Sequence, residues 1–416
     1  MLRAAEPVLL ALIIALQRGV VAAPFPPPLP SSPWLYFGAN ETGPVDAPIF
    51  QALAARGGLA GYGWQTNAAP SNYSHGEANV AGAVAALRAA HPQLPVFVYR
   101  NWHACWRLFD LQRAADDDAL HRGMFVHNFD NDPSAVECRI NMTAGEPRTS
   151  PMWVFANNSR AGAWWVDNVV REVAAETHAS AVFFDTTDAN ACGYSFASSG
   201  CPNMSAAFRA RDLLAKLPAV RATADALIAA NKLPIFSSRN VVAAAWAVLP
   251  DNATRPCVIP HDAYMAALAG VEYARFYEFW MGQGTNLDAA NIANALIEGS
   301  AGVGLVARAS ADADAQCSTE AACDVAPWFE VRLSYPLAAF LIARTSPCSY
   351  FGVSGGWSSG CWCWHNEYDQ VAKCGAPAAP AVRTSAHSWS REYEHCSVSV
   401  NTSAAQGSWA PRGRPA

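Results

Sequence analysis

Two carboxylates stand at the ends of apolar runs of strand length. Ala181, Val182, Phe183 and Phe184 lead into Asp185, and Phe276 and Tyr277 lead into Glu278. Two carboxyls presented on one face can share acid/base work. One protonates a leaving oxygen while the other attacks or activates water, as glycosidic-bond hydrolysis requires. A separation of about 5 Å suits retention of configuration and about 6.5–9.5 Å suits inversion. A single acid in such a place more often forms a salt bridge or caps a loop. Two acids at strand ends favour chemistry, because that is where barrel enzymes carry their catalytic groups. Asp188, three residues beyond Asp185, competes for the same role, orients a substrate, or caps a turn.

Other polar groups end apolar runs in the same way. Tyr99, Arg100 and Asn101 follow Val96, Phe97 and Val98, while Arg239 and Asn240 follow Ile235 and Phe236. Their side chains suit hydrogen bonding to sugar hydroxyls, although Arg100 paired with a core acid is the plain alternative. Trp64 and Trp280 sit beside the same ends, where an indole can stack on an apolar sugar face. Most of the fifteen tryptophans belong to the core on general grounds, leaving two or three to line a cleft. His261-Asp262 reads as structural. Cys361, Cys363, His365 and Cys374 mimic a zinc set weakly, and disulfides explain cysteines better in a secreted chain. No Gly-x-Ser-x-Gly nucleophile elbow occurs. No cofactor and no metal are expected.

Something must hold these residues, and the pattern of the chain says what. Short apolar runs at 34–38, 59–64, 95–100, 181–185, 233–238, 271–279, 302–306 and 349–352 alternate with longer amphipathic segments. Val80, Val84 and Leu87 recur at helical spacing, 164–173 reads as a helix, and 205–230 reads as helical with a break at Pro218. Thr285 and Asp288 mark a helix start, and 328–343 is a further helix. About eight such alternations predict an α/β fold, a (β/α)8 TIM-type barrel. A doubly wound open sheet is the runner-up, but no glycine-rich phosphate loop follows the first strand. The period-two pattern of 389–400 predicts a C-terminal strand or hairpin packed on the barrel.

Composition narrows the function classes. Charged residues make up 15% of 416 and the net charge is -6. No basic cluster exists to neutralise phosphates, so nucleic acid is not an expected partner. Residues 1–23, with Arg3, an apolar run at 8–16 and small residues at 20–23, read as a secretory signal peptide. The run is too short to span a bilayer, so no stable membrane insertion is expected. Residues 24–33 form a Pro-rich leader, 34–401 the catalytic-type domain with its β extension, and 402–416 a disordered tail. Twelve cysteines read as several disulfides, up to six, in an oxidising compartment. Asn-x-Ser/Thr sequons at Asn40, Asn72, Asn141, Asn157, Asn203, Asn252 and Asn401 suit a secreted glycoprotein.

Several local patterns carry a family resemblance. They are Trp164-Trp165 ahead of Val182-Phe183-Phe184-Asp185, Tyr277-Glu278-Phe279-Trp280, Tyr350-Phe351-Gly352 before Trp357, and Arg391-Glu392-Tyr393-Glu394 before Val398-Ser399-Val400-Asn401. Their order resembles the hypothetical glycoside hydrolase families of the (β/α)8 superfamily, which are distantly similar to endo-α-1,4-polygalactosaminidases. The resemblance spans about residues 34 to 401 and implies that Asp185 and Glu278 are the catalytic acids. The dense cysteines and the second acid, Asp188, depart from that pattern. The expectation is a secreted enzyme cleaving a glycosidic bond in a poly- or oligosaccharide. A non-catalytic, lectin-like barrel is the alternative, and another hydrolase or lyase on the same scaffold is a third.

Overall fold

The structure is a computed structural model that describes residues 35–38, 48–63, 75–102, 104–140, 150–155, 160–187, 204–238, 259–278, 280–311, 327–345, 348–355, 359–360 and 364–412. Eight parallel strands form its centre: β1 (Leu35–Gly38), β2 (Leu59–Tyr62), β3 (Val96–Asn101), β4 (Ala181–Asp185), β5 (Leu233–Ser237), β6 (Ala274–Tyr277), β7 (Gly304–Ala311) and β8 (Tyr350–Gly355). They pair in chain order through seven parallel ladders. β8 lies against β1, so the sheet curls into a nearly closed barrel. The TIM-type barrel expected from the sequence is therefore the fold, and the open sheet is not.

Strand alternation divides the side chains into two populations. Phe97, Tyr99, Ala181, Phe183, Leu233, Ile235, Ala274, Phe276, Val306 and Tyr350 pack together inside the barrel. Val96, Val98, Val182, Phe184, Phe236, Tyr277 and Leu305 belong to the larger core outside it, under the helices. Inside, Phe183 and Phe276 stack with centroids 4.3 Å apart, and Phe97 meets Phe183 edge-on. Gly61 makes this filling possible, since a Cβ there would lie 1.9 Å from the Phe97 ring. The interior is a packed core and not a channel.

The helices follow from periodicity and from local breakers. α1 (Pro48–Arg56) and α2 (Gly76–Ala90) flank β2, and α2 buries Val80, Ala83, Val84 and Leu87 on one face. α3 (Asp110–Asp117) opens the insertion after β3. Between 160 and 175 the chain is helical with a π turn at Val166–Val170. α4 (Ala206–Ala215) and α5 (Leu217–Ala229) are the interrupted helical stretch expected over 205–230, broken at Lys216. Pro218 stands in the first turn of α5, where its missing N–H costs nothing. α6 (His261–Ala267), α7 (Thr285–Ser300), α8 (Pro327–Ala343) and α9 (Asn366–Ala372) complete the layer. At the start of α7, Gly284 takes the cap position, while Asp288 accepts from the N–H groups of Gly282 and Gln283.

From Leu333 to Ala343, α8 is buried nearly all round because it is covered twice. The barrel lies on one side and a four-stranded antiparallel sheet on the other: β9 (Val382–Ser385), β10 (Ser388–Glu392), β11 (Cys396–Asn401) and β12 (Gln406–Pro411). The expected hairpin is thus a larger sheet. The expectation of a disordered tail over 402–416 fails for β12, which pairs with β11 along its whole length. Gly407 lets β12 approach α8 closely, since a Cβ there would lie 2.6 Å from that of Ala338. Arg391 and Tyr393 from the sheet bond the carbonyls of Leu341 and Ile342 at the end of α8, satisfying groups a helix terminus leaves open.

Cys374 and Cys396 form a disulfide that ties α9 to β11, and Cys138 is also disulfide-bonded. Cys105 and Cys348 are buried thiols, so the full complement of six bridges is not reached. Cys374 is committed to its bridge and cannot serve the zinc set considered above. No metal-binding group of His, Cys, Asp or Glu occurs among the described residues. No described helix is long and apolar enough to cross a membrane.

Candidate active site

The C-terminal end of the barrel gathers a polar layer above the aromatic filling. Asn101 and Asp185 are register partners at the ends of β3 and β4. Ser237 occupies the corresponding interior position of β5, beside Phe276. Glu278 follows β6, one residue past Tyr277, and Arg308 lies two residues beyond the interior Val306 on β7.

Asp185 is held from β3. The Tyr99 hydroxyl donates to Asp185 Oδ2 at 2.8 Å. The Asn101 amide donates to the Tyr99 oxygen at 2.9 Å and lies 3.4 Å from the same carboxylate oxygen. Asn101 Oδ1 in turn accepts from the Ala104 N–H. Burial, then the charges of Asp185 and Glu278, push the Tyr99 phenol well above its ordinary range, so it remains a donor.

Glu278 has a different environment. It is 2% exposed and faces Arg308, itself 2% exposed, with Nη1 3.3 Å from Glu278 Oε1. Burial pushes the Glu278 carboxyl well above the usual carboxylate range, and the nearby Asp185 charge pushes it further; Arg308 opposes both. One carboxyl is thus bonded by two donors and the other is desolvated and driven toward its neutral form.

The expected site residues divide by strand alternation. Tyr99 and Asn101 come to the site, but as groups holding Asp185. Arg100 points the other way, to the helical layer, where Nη2 forms a two-oxygen pair with Glu172 at 2.8 and 3.0 Å. The guanidinium also covers the Phe109 ring, so Arg100 belongs to the scaffold and not to a substrate site. Trp280 is likewise corrected: it is fully buried, its indole N–H donates to the Pro336 carbonyl, and no face is open to a sugar. Trp64, Asp188, Arg239 and Asn240 lie outside the described residues.

Arg308 was missed by the sequence reading, which ended its strand at 306. The signal was present, since Val306 and Arg308 alternate with Leu305, Ala307 and Ala309. A cleft of about 610 Å³ opens elsewhere, in the insertion after β3, lined by residues including Asp116, Arg122, His127, Glu137 and Arg139. Three of its charged groups engage one another, with Arg139 on Asp116 and Glu137. The two neighbouring carboxyls, Asp185 and Glu278, lie at the barrel end and not in this cleft.

With this geometry in hand, the comparisons place the chain. The profile of hypothetical glycosyl hydrolase family 15 matches residues 88–397. The chain belongs to that family. No curated protein matches it. Among solved structures it is similar to the α-N-acetylgalactosaminidase NagBb from Bifidobacterium bifidum, at 10% identity and a TM-score of 0.43, over 92% of this chain and 57% of that one. The chain therefore spans little more than half the length of that protein. It is also similar to Eubacterium rectale Amy13B, at 7% identity and a TM-score of 0.47, over 90% and 86% of the two chains. The glycoside hydrolase domain of PelA from Pseudomonas aeruginosa is similar at 13% identity and a TM-score of 0.40, over 80% and 99%.

Proposed function

We propose that this family member cleaves a glycosidic bond in a poly- or oligosaccharide, with Glu278 as proton donor and Asp185 as nucleophile or base. The observation that carries the proposal is the asymmetry of the two carboxyls. Asp185 accepts from Tyr99 and sits beside the Asn101 amide, two donors turned toward its carboxylate. Glu278 is buried and lies under the field of Asp185, which favours the protonated form a general acid requires. Arg308 limits that effect and keeps the proton transferable. We further propose that the protein works in a secretory or extracellular setting. The bonded Cys374–Cys396 pair and the bonded Cys138 support that reading, because such bonds persist in oxidising compartments.

The test is a screen of poly- and oligosaccharides with detection of new reducing ends, run on the native protein and on D185N. Product from the native protein and its loss in D185N is the expected result. Binding of a glycan by both proteins, with hydrolysis by neither, would replace this reading with the lectin-like one.

A further inference from the structure

The backbone just after Asp185 adopts a costly conformation. Thr186 has φ 61°, in the left-handed region, which a β-branched residue occupies only when its surroundings impose it. The groups that impose it converge on the next residue. The Thr187 N–H donates to Ser237 Oγ at 3.0 Å, and the two hydroxyl oxygens are 3.4 Å apart. The Tyr264 hydroxyl donates to Thr187 Oγ1 at 3.0 Å. Thr187, Ser237 and Tyr264 are all buried. Tyr264 is itself fixed from the strand leading to Glu278, since the Arg275 guanidinium lies 4.3 Å over its ring.

These bonds join three elements at one point: the end of β4, the interior end of β5 and helix α6. A left-handed residue turns the chain sharply, so the peptide after Asp185 sets where the Asp185 Cα–Cβ bond aims. Without a hold on Thr187, Thr186 would relax toward extended backbone and carry Asp185 with it. Glu278 has its own hold in Arg308, and the clasp acts on the Asp185 side alone.

We propose that Tyr264, Thr187 and Ser237 are positioning residues, a hydrogen-bonded clasp that locks Thr186 in its strained conformation and thereby aims Asp185 at the reacting sugar. The proposal rests on the reading of Asp185 and Glu278 as the working pair.

The test reads the geometry of that pair without a substrate. Protein labelled with ¹³C at the glutamate δ-carbon is titrated by NMR, the Glu278 signal being assigned by its loss in E278Q. D185N sets the full downward shift of the Glu278 titration when its charged neighbour is removed. T187V is expected to move the Glu278 titration by roughly half a unit or more, while T187S, which restores the hydroxyl, titrates as the native protein does. Y264F keeps the ring and loses only the donor, and is expected to shift the titration in the same sense as T187V, so the test survives if T187V fails to fold. A shift in D185N with T187V and Y264F both at the native value overturns the clasp alone. No shift in D185N overturns the paired-acid reading, and the clasp with it.

Discussion

Tyr99 and Asp185 lie on neighbouring strands, and the phenol of one donates to the carboxylate of the other at 2.8 Å. The contact follows from register: Tyr99 precedes Asn101 by two on the interior face of β3, and Asn101 is the partner of Asp185. A hydrogen bond to a charged acceptor is worth about 1.5–3 kcal/mol. Y99F is therefore expected to lower kcat about 10- to 100-fold, with KM little changed, because Tyr99 acts on Asp185 and not on substrate. Steady-state kinetics check this, and an unchanged kcat would remove Tyr99 from the account.

The raised affinity of Glu278 for its proton has a sign that activity can read. A general acid works while protonated, so activity falls as pH rises through the raised Glu278 value, above the ordinary carboxylate range. R308Q removes the opposing charge and is expected to move that falling limb to higher pH. A limb that stays in place or moves lower would contradict the assignment. The same group also contributes to stability. The folded protein holds the proton more tightly than the unfolded chain, so the contribution is complete below the ordinary carboxylate value and is lost as pH rises through the folded one.

Much of this was legible in the sequence. Val182-Phe183-Phe184-Asp185 and Phe276-Tyr277-Glu278 announced strands delivering acids, and the alternation along the chain announced the barrel. What failed was facing. Arg100 stands between two site residues, yet period two sends it to Glu172, and listing a strand end without assigning its faces hides that. Trp280 failed for another reason: a tryptophan beside an acid looks like a sugar platform, and only tertiary packing shows the indole N–H spent on Pro336. The β12 strand was invisible because its partner β11 and the gap above α8 define it, and the polar sequence around Gln406 does not.

The C-terminal sheet is expected to stabilise the barrel through α8. Replacing Cys374 and Cys396 by serine opens a closure spanning 22 residues, a loss of about 3 kcal/mol on the chain-entropy account. R391M removes the donor to the carbonyls at the end of α8 and is expected to cost about 1–3 kcal/mol. Urea unfolding of both variants measures these losses. Native stability in both would mean that the sheet is a passenger.

His365 predicts a weakness to acid. Burial lowers its pKa to about 4, against 6.5 for the free side chain. The unfolded chain therefore takes up a proton first as pH falls. The neutral buried form contributes stability above about pH 6.5 that is lost on the way down to about pH 4, up to about 3 kcal/mol. H365Q is expected to flatten this part of the stability profile. An equally steep decline in H365Q, followed by urea unfolding between pH 7 and pH 4.5, would assign the acid sensitivity to other groups.

The central claim is that Asp185 and Glu278 act as a pair on a glycosidic bond. The most direct measurement is the turnover number of D185N and of E278Q against the native enzyme, on one glycan that the native enzyme cleaves. The account predicts a loss of about 10²-fold or more in kcat for each, with both variants folded. Native turnover in either variant would contradict it.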